Sequence, residues 1–101
     1  MAEVKIGKLA DFPINKTKKV TANNTDIMIT NLDGKLYAIG DVCTHEECSL
    51  AEGVLQGEII TCPCHYSQFN AKTGKVLSPP ATEDEPVYEV KVAAEEVFVV
   101  I

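Results

Sequence analysis

The stretch that decides the fold is CTHEECSLAEGVLQGEIITCPCH, residues 43–65. All four cysteines and both histidines of the 101-residue chain fall within these 23 residues. They form two clusters, CTHEEC at 43–48 and CPCH at 62–65, and the segment between them contains the hairpin signal Gln56-Gly57. A hairpin would return the second cluster beside the first, so that two loops grip one site from both sides.

The rest of the sequence has the pattern of an all-β protein. Turn dipeptides between short apolar runs predict hairpins, PVYEVKV at 86–92 alternates with period two, and VFVVI closes the chain. No 3.6-residue periodicity is sustained, and residues 46–52 have room for one helical turn at most. No linker or repeat divides residues 1–101. We therefore predict a single domain, a small antiparallel β-sandwich or barrel.

Composition narrows the class of partner. Acidic residues outnumber basic ones 15 to 9, for a net charge of −6. This charge disfavours nucleic acid and anionic membrane surfaces, and it suits a partner protein with a basic face. The N-terminus has no signal-peptide pattern, and the longest apolar runs are too short to span a bilayer. We predict a soluble, cytoplasmic monomer.

Several metal or thiol chemistries fit parts of the two clusters. A Cys2His2 zinc site would leave two cysteines unused, and the Cys43-x-His45 spacing is tighter than usual. The spacings also depart from those of plant-type ferredoxins and of redox dithiols, and no third group that would activate a Cys-His nucleophile is apparent. The pattern C-x-H…C-x-x-H selects Cys43, His45, Cys62 and His65. Two thiolates on one iron and two imidazoles on the other are the ligands of a Rieske 2Fe-2S cluster, with zinc as the main alternative.

The chain resembles the Rieske-type ferredoxin family over nearly its whole length. The likeness is carried by KLADFP, by GKLYAIGDVCTHEECSLAEGVLQGEIITCPCHYSQFNAKTGKV, by LSPPA, and by YEVKV and VFVV. The resemblance implies a mainly β fold with a two-loop cluster-binding subdomain at one tip. It also implies one 2Fe-2S cluster, with Cys43 and Cys62 on the inner iron and His45 and His65 on the outer iron.

The resemblance further implies electron transfer and no catalysis. The expected role is a one-electron carrier between a reductase and an oxygenase or another redox acceptor. The alternative is a small electron-entry subunit of an oxygenase or of a nitrite-reductase-like complex. Two thiolates, where other clusters have four, leave the oxidised core neutral, so it accepts an electron more easily. Rieske potentials accordingly span roughly −150 to +300 mV.

The two remaining cysteines, Cys48 and Cys64, lie one in each loop. They resemble the extra pair of respiratory Rieske proteins and could close a disulfide between the loops. Reducing cytosol normally opens such bonds. We expect this one to survive because it would be short and shielded.

Four residues near the clusters are assigned by resemblance to the surroundings of the cofactor. Ser67 would donate its hydroxyl to a cluster sulfur, and Phe69 stands where respiratory relatives have a tyrosine. Pro79 and Pro80 would form a rigid lid over the cluster.

Two further positions depart from the family pattern. Tyr66 replaces a common glycine, and Glu46 and Glu47 add charge directly after His45. We expect these carboxylates to flank the histidine edge and to meet a basic partner.

Overall fold

The computed structural model describes residues 2–44, 47–64 and 66–101. These residues form ten β-strands: β1 Glu3–Lys8, β2 Thr17–Ala22, β3 Thr25–Leu32, β4 Lys35–Gly40, β5 Val54–Gln56, β6 Ile59–Thr61, β7 Gln68–Asn70, β8 Val76–Ser78, β9 Val87–Ala93 and β10 Glu96–Val100. Short 3-10 turns lie at Leu9–Asp11 and Leu50–Glu52, the second within the stretch that had room for one helical turn at most. The all-β prediction is confirmed.

The predicted hairpins form where the turn residues placed them. The β3–β4 turn has both Asp33 and Gly34 at positive φ, +53° and +96°, the backbone that a tight two-residue hairpin turn requires. The β5–β6 turn places Gly57 at φ +61°. The last hairpin turns at Ala94 and Glu95, which adopt the same left-handed region without a glycine.

The strands make two antiparallel sheets, and the smaller sheet is an insertion into the larger. The larger sheet has the order β1-β10-β9-β4-β3-β2, and the smaller has the order β5-β6-β7-β8. The chain leaves the large sheet after β4 and returns in β9, which pairs with β4 through Ile39 and Val87. Residues 41–86 therefore start and finish at one end of the large sheet, and both cysteine clusters lie within them.

Alternation along the central strands divides the core in two. Ile27 and Ile29 of β3 pack into one buried cluster with Val97 and Val99 of β10. Met28 lies between the two isoleucines and points the other way, because successive side chains of a strand face opposite sides. It joins a second cluster with Ile39 of β4 and with residues of the insertion: Cys43, Leu50, Ile60, Cys62, Phe69, Ala71 and Ala81. The second cluster attaches the insertion to the large sheet.

One finding concerns membranes. Within residues 2–44, 47–64 and 66–101 there is no helix with the length and apolar character that a bilayer crossing needs.

Candidate metal centre

The first loop is closed at its base by Asp41, directly after β4. This carboxylate is buried and accepts hydrogen bonds from the Ser49 hydroxyl at 2.6 Å and the Ala51 N–H at 2.9 Å. Inside that closure the Cys43 N–H donates to the Cys48 carbonyl at 2.9 Å. Cys43 is thereby held inward, with 3% of its surface exposed.

The second loop is a tight turn that starts at Cys62, directly after β6. The Cys62 N–H donates to the Ser67 carbonyl at 2.8 Å, and the Tyr66 N–H donates to the Cys62 carbonyl at 3.1 Å. Tyr66 adopts φ +64° in this turn, a left-handed conformation that costs a non-glycine residue roughly 1–2 kcal/mol. Cys62 is 1% exposed, whereas Tyr66 is 72% exposed.

A disulfide joins the two loops through Cys48 and Cys64, so the predicted pairing is confirmed. Their Cα atoms are 6.4 Å apart, within the usual range for a disulfide. The expectation that the bond is shielded is wrong, because Cys64 is exposed. The physical reason is the turn itself, which points Cys62 inward and leaves Pro63 and Cys64 outside.

A third segment, residues 79–86 and here called the strap, is hydrogen-bonded to both loops. The Ala81 N–H donates to the Ser67 hydroxyl oxygen at 2.9 Å, which fixes the strap to the second loop. The Thr44 hydroxyl donates to the Glu83 carbonyl at 2.7 Å, which fixes it to the first. Both loops are therefore held by the disulfide on one side and by the strap on another.

The residues assigned to the surroundings of the cofactor lie at this junction. Ser67 and Phe69 are fully buried, and Phe69 belongs to the same apolar cluster as the two inner cysteines. Pro79 and Pro80 are exposed at the start of the strap and are joined by a cis peptide bond. The hydroxyl donation by Ser67 and the lid role of the two prolines stay predictions.

The histidines and one carboxylate of the predicted site, His45, His65 and Glu46, lie outside the described residues. Among the residues that are described, no three His, Cys, Asp or Glu side chains are grouped so as to hold a metal ion. Cys43 and Cys62 fit an iron–sulfur cluster, since both lie outside the disulfide and are buried in one apolar cluster. Soft thiolate ligands screened from water are what such clusters require.

Sequence reasoning missed two buried acids, Asp41 and Glu85. Asp41 lies between apolar runs in AIGDVC, a signal that could have marked it as a buried polar anchor. Glu85 lies in TEDEP, which looks like any solvated acidic run. Burial raises the pKa of the Glu85 carboxyl from 4.5 to about 7, with a further rise from the Asp41 charge and an opposing effect of the Thr44 N–H.

Known proteins share both the sequence pattern and this architecture. The family model of the Rieske 2Fe-2S domain matches residues 2–95. The biphenyl dioxygenase ferredoxin subunit of Pseudomonas sp. (strain KKS102) is 35% identical over 100 residues, covering 98% of this chain and 92% of that protein.

Two solved structures give the same result. The ferredoxin of carbazole 1,9a-dioxygenase from Nocardioides aromaticivorans IC177 superimposes with a TM-score of 0.92 at 26% identity, covering 98% of this chain and 97% of that one. A complex of reduced oxygenase and oxidized ferredoxin in carbazole 1,9a-dioxygenase matches with a TM-score of 0.90 at 34% identity, covering 96% and 91%.

The chain belongs to the Rieske 2Fe-2S domain family. Within the family it is a Rieske ferredoxin, an electron carrier with one 2Fe-2S cluster.

Proposed function

We propose that this ferredoxin delivers single electrons from a reductase to the oxygenase of an aromatic-ring dioxygenase system. Cys43 and Cys62 would hold the inner iron, and His45 and His65 the outer iron. The observation that carries the proposal is the pair of buried cysteines on two covalently joined loops. The similarity to dioxygenase ferredoxins, one of them solved in complex with its oxygenase, supports the choice of acceptor.

The chain's own residues provide the environment for one-electron transfer. The cluster, when bound, accepts and releases one electron. Burial of both inner cysteines keeps water from the thiolates, while Asp41 and the strap fix the loop backbones. Because these contacts hold both loops, little rearrangement is needed when the charge changes.

The charge of the tip suits a basic partner. Six acidic residues and none of the nine lysines lie in the segments around the proposed cluster. These segments are the first loop (41–49), the second loop (62–68) and the strap (79–86). Glu47, Glu83 and Asp84 are exposed there. A surface of one charge sign speeds association with a partner surface of the opposite sign, and salt screens this attraction.

The proposed function is tested by electron delivery. The purified protein, reduced with dithionite, is mixed anaerobically with the oxidised oxygenase components of biphenyl, naphthalene and carbazole dioxygenases. We expect loss of the reduced-cluster absorbance with at least one of them, matched by reduction of the oxygenase. Stoichiometric zinc in place of iron, or no transfer to any of the three oxygenases, would contradict the proposal.

The salt dependence of that transfer tests the docking charge. Glu47→Gln combined with Glu83→Gln should slow transfer at low salt by on the order of twofold to tenfold and flatten its dependence on ionic strength. The matched control is Asp33→Asn with Glu95→Gln. It removes the same charge from exposed turns at the far ends of β4 and β9. Equal behaviour of the two double variants would place the docking face elsewhere.

The potential should depend on the Ser67 hydroxyl. This oxygen accepts from the Ala81 N–H and still has a proton to donate to a cluster sulfur. Ser67→Ala should lower the midpoint by on the order of 60 mV, the equivalent of about 1.4 kcal/mol in a one-electron couple. Phe69→Tyr should raise it if the new hydroxyl reaches a cysteine sulfur.

Thr44→Val is the control for the Ser67 measurement. Its hydroxyl is already donated to the strap, so its removal loosens the strap without taking a proton from the cluster. Voltammetry on the variants decides between the two roles. If Ser67→Ala and Thr44→Val had equal midpoint potentials, the Ser67 hydroxyl would serve only to hold the strap.

A further inference from the structure

Four exposed apolar residues lie beside the second loop. Tyr66 of the loop is 72% exposed, more than any other large apolar residue that the structure describes, and Leu77 of β8 is also exposed. Pro79 and Pro80, at the start of the strap, are exposed as well. We call these four residues the apolar patch. Exposed apolar side chains that are grouped on a soluble protein mark a site of interaction.

Backbone contacts bring the segments that carry the patch together. The Ala81 N–H donates to the Ser67 hydroxyl oxygen at 2.9 Å, so the start of the strap adjoins the residue directly after Tyr66. Gln68 pairs with Ser78 across β7 and β8, which places the end of β8 beside the second loop. Loop, strand end and strap therefore form one surface.

An open cleft of about 200 Å³ lies in this surface. The residues that line it carry no charge: Val76, Leu77, Ser78, Pro79 and Ala81. Acidic residues border it, since Asp84 accepts a hydrogen bond from the Val76 N–H at 2.8 Å and Glu83 is exposed next to Asp84. An uncharged centre with a charged margin is the usual composition of a protein docking face.

The backbone of Tyr66 is not explained by the stability of the fold. Its N–H closes the turn on the Cys62 carbonyl at φ +64°, a conformation that glycine adopts without the steric cost to a side chain. Because the residue is mostly exposed, its side chain contributes little packing within the chain. A contact with another molecule accounts for an aromatic residue at this position.

We propose that the apolar patch is the centre of the docking face for the oxygenase, with Tyr66 as the anchor that enters an apolar pocket ringed by basic residues. The inference rests on the proposed function and adds an apolar contact to its acidic docking charge. The charge of the surrounding segments, six acids and no lysine, selects a partner with a basic margin. A similar ferredoxin solved together with its oxygenase supports the choice of partner.

Charge and patch have different tasks in this arrangement. Opposite charges speed the approach of the two proteins, whereas buried contacts at the centre of an interface set how long the complex lasts. Tyrosine suits the central position because it offers a large contact area and loses little conformational entropy when it is fixed.

The test is the dissociation constant of the cluster-loaded protein with the oxygenase component that accepts its electrons, measured by calorimetry. Tyr66→Gly should raise Kd by on the order of tenfold, the effect of removing an aromatic anchor. Leu77→Ser should raise it by a smaller factor, and Tyr66→Phe, which keeps the ring, should stay within about threefold of the parent. Val92→Ser is the matched control, an exposed apolar position at the far end of β9, and should bind as the parent does.

Further readouts separate a lost contact from a damaged loop. Tyr66→Gly should hold its cluster at the parent's midpoint potential, and its Tm should be no lower than the parent's because glycine relieves the left-handed strain. The ratio of its Kd to that of the parent should persist at high salt, since an apolar contact is not screened. The effect of Glu47→Gln with Glu83→Gln should disappear under the same conditions.

The outcomes distinguish this inference from the function on which it rests. If Tyr66→Gly and Leu77→Ser bind the oxygenase as the parent does while electrons still flow, the inference is overturned and the proposed function stands. Weakened binding to the reductase alone, or to a second copy of the chain alone, assigns the patch to another occupant and overturns it equally. If Tyr66→Gly loses its cluster, Leu77→Ser decides. A parent that delivers no electrons to any oxygenase overturns the proposed function and this inference with it.

Discussion

Replacing Cys62 with alanine should abolish cluster binding. The parent should contain two irons and two acid-labile sulfides per chain, and Cys62→Ala should contain close to none, with loss of the visible spectrum. The reason is that Cys62 would supply one of two thiolates to the inner iron, and its buried position leaves no route for water to replace it. We expect the same loss for Cys43→Ala, His45→Ala and His65→Ala.

Cys64→Ser is the matched control for this experiment. It removes a sulfur two residues away in the same loop, but one that belongs to the disulfide and that points outward. Iron and sulfide analysis of freshly prepared anaerobic protein should therefore distinguish the two sites. If Cys64→Ser lost the cluster and Cys62→Ala kept it, the assignment of ligand and disulfide cysteines would be reversed.

The position of the site could be predicted because its determinants are local. The pattern C-x-H…C-x-x-H left Cys48 and Cys64 as a pair that could join the loops, and Gln56-Gly57 predicted the turn between the two clusters. Strands next to recognisable turn residues, such as β3 and β4 around Asp33, were predicted for the same reason. These are short-range patterns that a sequence displays directly.

Elements that depend on distant partners were not found. β1 was not predicted because it pairs with β10, which lies at the other end of the sequence. Glu3 of β1, for example, lies opposite Val100 of β10. β2 was missed for a similar reason. Its exposed lysines do not suggest a strand in the sequence, and the strand is defined by its pairing with β3. Glu85 is the clearest case, since an acid in an acidic run becomes buried only because Gly40 and Gly74, far apart in sequence, leave space for it.

Removing the disulfide should have the second-largest effect. Cys48→Ser with Cys64→Ser releases a link between residues separated by 16 positions, for which the chain-entropy estimate is about 3 kcal/mol. In a domain of this size, that loss corresponds to a fall in Tm of roughly 10–20 °C. The strap would then hold the loops through hydrogen bonds worth on the order of 1 kcal/mol each, so cluster lifetime and midpoint should fall too.

The single variants Cys48→Ser and Cys64→Ser provide the internal control. Each breaks the same bond, so each should lower Tm as far as the double variant does, a non-additivity that independent sites would not show. Because Cys64 is exposed, treating the parent with a phosphine reductant should reproduce the effect without any substitution. Alkylation of the unfolded, cluster-free parent without reduction should add two groups, at Cys43 and Cys62. Four groups, or a Tm unchanged in the double variant, would mean that the strap and the apolar cluster hold the two loops by themselves.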